Sequence, residues 1–330
     1  MTGTLLNISH AAKSTRSEMS SPPRVVVTVK PIHSLIAGIM EGIGEPELLI
    51  EGDSSPHHIQ LKPSEEQKLY GAQVIVWVGD IYEGGLKNRL DNLQGSAEII
   101  TIAELEGIHL YPYRRFKDED GHVHGDHSCC DHDHGPLSNG NHHHEISGKD
   151  GHIWLAPNNA TVLVTQIAKK LAALDLKHAP LYLANSKKVI AKIHTLAVDL
   201  TRDMKDVKGK PYLTFHDFTQ YFDRAFGTIC KGVIRLDPNV EPSPKHLRDL
   251  EQQIFQKYVD VIFTEPQFDS KLIDMLVKDG QIHPAQLDYL GFNLEKGPEL
   301  YFEMMRRLGH DMRAALDKTS IVEAVRNLIE

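Results

Sequence analysis

Two apolar patterns recur along this chain: short β-branched runs, and longer stretches with helical spacing. Val25–Lys30 is a near-continuous apolar run and predicts a strand covered on both faces. A helical stretch from Ile32 to Ile43 follows, then a short strand at Leu48–Ile50, a loop through Gly52–His58 and a helix starting near Pro63. Proline in that first turn, with Ser64, Glu65 and Glu66 beside it, is a start signal. Val74–Gly79 and Glu98–Ile102 predict two more strands. Strands that alternate with helices imply parallel pairing and an α/β layer fold.

The second half repeats the alternation. Asn158–Leu174 has an amphipathic period, and from Leu181 to Val207 apolar residues at Val189, Ile193, Leu196, Ala197 and Leu200 sustain one long helix, against an average of about 11 to 12 residues. Tyr212–Phe215, Thr228–Ile234, Val259–Thr264 and Gln281–Leu287 predict strands, with helices at Phe218–Phe226, Ser243–Tyr258, Pro298–Ala315 and Ser320–Ile329. The expected architecture is therefore α/β: two similar lobes, each a mainly parallel sheet flanked by helices, joined by one long helix. The boundaries follow as a disordered segment at 1–23, an N-terminal lobe at 24–180, the connecting helix at 181–207 and a C-terminal lobe at 208–330.

At 330 residues the chain is long enough for two such lobes. Its formal net charge is −9 with scattered lysines and arginines, which argues against a nucleic-acid surface and favours an approaching cation. No run reaches the roughly 18 apolar residues of a membrane-spanning helix. Residues 1–23 lack the apolar core of a secretory signal, so either the protein works in the cytoplasm or its export signal is not in this chain.

One stretch breaks the alternation altogether. Between Lys117 and Glu145 stand His122, His124, His127, His132, His134, His142, His143 and His144, threaded through Asp126, Asp131, Asp133 and small polar residues. So polar a stretch buries too little surface to offset its ordering cost, which predicts a mobile loop at 118–145. Imidazoles with carboxylates between them suit Zn, Ni, Cu or Co better than Ca or Mg; a solvated linker without a ligand is the alternative. Cys129 and Cys130 fit poorly as a mutual disulfide and are optional thiolate ligands, whereas Cys230, in a strand-like run, reads as a buried small hydrophobe.

Three histidines outside the loop share a setting. His57 follows the strand at Leu48–Ile50, His152 lies in Gly151-His152-Ile153-Trp154, and His216 ends the strand at Tyr212–Phe215. Ligands of open α/β sheets gather beyond the carboxyl ends of strands, and three imidazoles meeting between two lobes would hold Zn²⁺ with one position left for a carboxylate or water. A single histidine near a strand end is more often only hydrogen-bonded. His33, His109, His178, His194, His246, His283 and His310 read as ordinary surface or cap residues, and His58 as the weaker neighbour of His57.

Several pieces carry a family resemblance: Val-Thr-Val-Lys-Pro-Ile-His-Ser at 27–34, Ser-Pro-His-His-Ile-Gln-Leu-Lys-Pro-Ser at 55–64, Val-Ile-Val-Trp-Val-Gly at 74–79, the acidic His-rich insertion, Gly-His-Ile-Trp-Leu-Ala-Pro at 151–157, Phe-His-Asp-Phe-Thr-Gln-Tyr-Phe at 215–222, Phe-Thr-Glu-Pro-Gln-Phe at 263–268 and Leu-Asp-Tyr-Leu-Gly at 287–291. In this order they resemble the solute-binding proteins of zinc and manganese ABC importers, in the ZnuA-like zinc branch, from Arg24 onward. The resemblance implies that His57, His152 and His216 ligate metal. It favours zinc over Mn²⁺, since the manganese branch usually has a glutamate at the third position. Pro56 stands where some zinc relatives have a glutamate, so Asp288 is the expected fourth ligand, with water as its competitor. Glu265, beside Pro266, is expected to support a ligand from behind. Some zinc-branch members staple the second lobe with a disulfide; Val261 occupies the first cysteine's place and no cysteine follows it, so packing alone must hold that lobe.

The function expected is a periplasmic, monomeric zinc-binding protein, not an enzyme, that takes Zn²⁺ between its lobes and delivers it to the membrane permease of an ABC importer. The His-rich loop would serve as an auxiliary, weaker metal collector. A zinc hydrolase is one alternative, because three histidines and an open position also describe catalytic zinc, though the His-Glu-x-x-His helix is absent. A cytoplasmic metal store or chaperone is the other alternative.

Overall fold

The computed structural model describes residues 21–51, 59–114, 116–117, 123–124, 148–235, 241–255, 259–268, 271–277 and 282–329. The β-branched runs of the first half lie side by side. Strand β1 (Val25–Val27) pairs with β2 (Glu47–Leu48) on one edge and β3 (Val74–Trp77) on the other, and β3 pairs with β4 (Glu98–Thr101), all parallel. Every residue of β1 and β3 is buried, as a sheet covered on both faces requires. The covering helices are α1 (Lys30–Ile39), α2 (Pro63–Gly71) and the short α3 (Asp80–Glu83) and α4 (Lys87–Asp91).

A two-residue antiparallel pair, β5 (Phe116–Lys117) with β6 (Val123–His124), interrupts this layer. Helix α5 (Pro157–Leu174) then packs along α6 (Ala179–Asp203), the connector, whose 25 residues span about 37 Å at 1.5 Å each. The second lobe comprises β7 (Pro211–His216), α7 (Gln220–Phe226), β8 (Ile229–Arg235), α8 (Pro244–Phe255), β9 (Val261–Thr264), α9 (Lys271–Val277), β10 (His283–Gln286) and α10 (Leu300–Ile329). Its strands are again parallel.

The two sheets share one topology. Their orders are β2-β1-β3-β4 and β10-β9-β7-β8, so in each lobe the first strand lies between the second and the third. Connections leave the first strand in opposite directions, which opens a crevice beyond the carboxyl ends of the first and third strands. In the second lobe those ends are His216 and the residue after Thr264, Glu265. In the first lobe they are Thr28 and the Val78–Gly79 turn into α3.

The lobes meet through the helical layer. Helix α10 packs on α1 and α6, the Tyr301 N–H donates to Ser34 Oγ at 2.9 Å, and the Tyr301 hydroxyl donates to the Trp154 carbonyl at 2.9 Å. Lys30 Nζ donates to the carbonyls of Gly291, Phe292 and Leu294. The second lobe keeps a separate small core of Leu213, Phe215, Ile234, Ile254, Ile262 and Ile273 among others. Val261 is buried in β9.

Several expectations need correction. The first strand stops at Val27 and Lys30 opens α1, because Pro31 suits a helix's first turn and has no N–H for a sheet. The two helices expected at Pro298–Ala315 and Ser320–Ile329 are one, since Lys318 and Thr319 are indifferent helix formers rather than breakers. The apolar pattern does not predict the short α3, α4 and α9, although Ser270 stands just before α9 in the sequence and Asp80 opens α3. His33 is buried, its Nε2–H donating to the Pro46 carbonyl at 2.9 Å, so it is a core residue rather than a surface one. Cys230 is buried as expected. Among the described residues no helix is long and apolar enough to cross a membrane. Residues 1–20, Cys129, Cys130 and the loop histidines other than His124 lie outside the described residues.

Candidate metal centre

His152 and His216 arrive from opposite lobes. His216 is the last residue of β7; His152 lies in the short turn that leads into α5. Their Nε2 atoms are 3.3 Å apart. Each ring is held from behind by a buried carboxylate: His152 Nδ1–H donates to Asp150 Oδ1 at 2.8 Å, and His216 Nδ1–H donates to Glu265 Oε1 at 2.6 Å. The backbone N–H of each histidine donates to the same oxygen, at 2.9 Å and 3.3 Å. A carboxylate on Nδ1 fixes the tautomer and turns the Nε2 lone pair outward, the usual second layer of a metal-ligating histidine.

The spacing fits a metal. Facing lone pairs on nitrogens 3.3 Å apart repel one another unless a proton or a metal cation lies between them. Two nitrogens each about 2.0–2.1 Å from a tetrahedral Zn²⁺ would be separated by roughly 3.3–3.4 Å.

Aromatic rings enclose the pair. Tyr82 and Trp154 stand 5.1 and 5.7 Å from the His152 ring, Phe218 and Phe268 stand 5.4 and 5.7 Å from His216, and Tyr289 lies 5.2 and 5.6 Å from the two. Both histidines are only 2% exposed. Burial, and then His216 beside it, pushes the His152 imidazole well below its ordinary value, towards the neutral form that binds metal. Burial also pushes Asp150 up to about 6 and raises Glu265, against the hydrogen bonds and nearby positive groups that pull both down.

His57 and His58 lie outside the described residues. Asp288 is half-buried two residues after β10, its Oδ1 accepting the Leu290 N–H at 3.1 Å and its Oδ2 the Asn293 N–H at 3.5 Å. Among the described residues no three His, Cys, Asp or Glu side chains gather as a metal cluster; the two histidines are the part that the fold brings together.

Asp150 was not legible as a site residue, although Asp150-Gly151-His152 carries a signal. A carboxylate two residues before a histidine folds back on its ring only through a tight turn. Gly151 permits this one, since a Cβ there would sit 2.6 Å from the Tyr82 Cβ. Arg114 was also missed. Its guanidinium binds Asp217 and donates to Asp223 Oδ2 at 2.6 Å and to Thr219 Oγ1 at 2.8 Å, tying the segment just before the His-rich insertion to the residues just after His216.

Residues 25–315 match the family described as "Zinc-uptake complex component A periplasmic". The chain belongs to the ZnuA zinc-uptake family. Among its relatives, the "High-affinity zinc uptake system protein ZnuA" of Brucella suis is 33% identical over 306 residues, which cover 89% of this chain and 92% of the relative. A crystal structure of ZnuA superposes with a TM-score of 0.71 at 20% identity, over 90% of this chain and 100% of the other. The SBP FpvC from Pseudomonas aeruginosa in complex with Mn²⁺ gives 0.72 at 19% identity, over 91% and 100%. At such identities the structures establish the shared two-lobed fold of this ZnuA-family chain.

Proposed function

We propose that this ZnuA-family chain captures Zn²⁺ in the crevice between its lobes and delivers it to the membrane permease of an ABC importer, acting as a periplasmic monomer by binding rather than catalysis. The observation that carries the reading is the His152–His216 pair, 3.3 Å apart, each ring braced by a buried carboxylate. His57 is the proposed third ligand. Asp288 or a water supplies the fourth position; a carboxylate with two hydrogen bonds still has lone pairs to offer. Glu265 holds His216 without touching the metal.

Imidazole donors favour zinc over manganese on ligand softness, while the Mn²⁺ complex of a structural neighbour makes Mn²⁺ the metal to test against. The loop histidines His122, His124, His127, His132, His134, His142, His143 and His144 supply weaker, auxiliary sites. Calorimetric titration of the intact chain and of a chain lacking 118–145, with Zn²⁺ and then Mn²⁺, tests this. One tight zinc equivalent that survives the deletion, with weaker ones lost and Mn²⁺ bound far less tightly, is expected. Loss of the tight site in a folded deletion variant would overturn the assignment.

A further inference from the structure

The first turn of α7 belongs to the second lobe and begins four residues after His216, yet it grips the residue that orients His152 in the first lobe. Gln220 is 1% exposed. Its Nε2 donates to Asp150 Oδ2 at 3.2 Å and to the Pro112 carbonyl at 3.1 Å, and its Oε1 accepts from Arg224 Nη2 at 3.5 Å. All three partners agree on which way the amide faces, since a guanidinium only donates and a carbonyl only accepts. Next to it, the Tyr221 hydroxyl donates to the Asp150 backbone carbonyl at 2.8 Å. Asp150 is thus held by its second oxygen and its backbone from one lobe, while its first oxygen serves His152 in the other.

We propose that Gln220 is a positioning residue for the metal centre: by locking the Asp150 carboxylate from the opposite lobe, it fixes the direction in which His152 presents its Nε2. The proposal rests on the metal-capture reading above. An aspartate carboxylate turns easily about its last side-chain bond, so one held through Oδ1 alone would let the imidazole swing. Metal–ligand distances tolerate only about 0.2 Å. Helix α7 thus follows His216 by four residues and carries Gln220, the clamp on His152's carboxylate, in its first turn.

The test is a double-mutant cycle read as zinc affinity, by competition with a chromophoric chelator. Gln220→Leu removes both donors at similar volume, and Gln220→Met, unbranched and adaptable, is the second variant should Leu prevent folding. In the otherwise unaltered chain the expected loss is about 10 to 100-fold, the range for groups that orient a ligand. In a His216→Ala background the loss should persist; in a His152→Ala background it should vanish, because Gln220 would have no ligand left to position. A loss of equal size in the His152→Ala background would show a general structural effect and overturn the proposal, as would unchanged affinity in the unaltered background. An unaltered chain that binds no zinc would instead overturn the metal-capture reading itself.

Discussion

The Nε2 atoms of His152 and His216 face one another at 3.3 Å across the junction of the two lobes. Neither lobe alone forms the pair. The contact exists because β7 ends at the second lobe's topological crevice while the turn before α5 brings His152 to meet it, and both rings are aimed by carboxylates of their own lobes. Preorganisation of this kind spends ordering cost at folding rather than at metal capture.

Removing His216 should weaken zinc far more than removing His58. His216→Ala deletes a proposed direct ligand, so the loss should exceed the 10 to 100-fold typical of supporting groups, whereas His58→Ala should stay within tenfold. Equal effects of the two substitutions in a chelator-competition assay would mean that the ligand set is wrong.

Acid should release zinc, but less steeply than three ordinary imidazoles would. Each ligand must be neutral to coordinate, and an unperturbed histidine titrates near about 6.5. Burial and the neighbouring His216 lower the pKa of His152, so it is already neutral where an exposed histidine is charged, and it gives up fewer protons on binding. Below about pH 6 the apparent affinity should fall by less than the thousandfold per pH unit that three protonated ligands would give. An affinity flat from pH 7.5 to 5 would assign the metal to carboxylates instead.

Glu83 should set a pH dependence of stability at the first lobe's crevice. Its carboxylate accepts the Val78 N–H at 2.7 Å and the Gly79 N–H at 3.3 Å, yet burial pushes its pKa from 4.5 up to about 7. A folded-state pKa above the unfolded one means that the protonated group favours folding. That contribution is fully present below pH 4.5 and is lost as the pH rises through 7. Glu83→Gln, which cannot ionise, should therefore gain on the native chain between these limits, by something on the order of 1–3 kcal/mol at pH 8. Parallel pH–stability curves in urea for the two proteins would refute this.

Arg114→Ala should be strongly destabilising. It leaves Asp217 and Asp223, both buried, without their cation, and breaking such a pair from one side typically costs about 3–5 kcal/mol. Tyr212, Thr219 and Thr228 hydroxyls still reach Asp223, so Asp217 should account for most of the loss. In the Arg114→Ala background, Asp217→Asn should then recover part of the stability, measured by urea unfolding. No recovery would place the cost in lost packing rather than in an uncompensated charge.

The sequence by itself determined the layered α/β alternation, the length of the connecting helix and the positions of most strands within two or three residues, and it singled out His152 and His216 as candidate ligands. These are local properties: β-branched runs, helical period and proline placement act over a few residues, and the motif pieces preserve them in order. Tertiary structure decided what depends on residues far apart in the chain. The second oxygen of Asp150 meets Gln220, and Arg114 meets Asp217 and Asp223, only because the fold brings these distant residues together. His33 has the same polarity as any surface histidine, but α1 turns it inward onto Pro46. The shared strand order of the two sheets, which puts His216 beside Glu265, comes from parallel pairing between strands that no local pattern links.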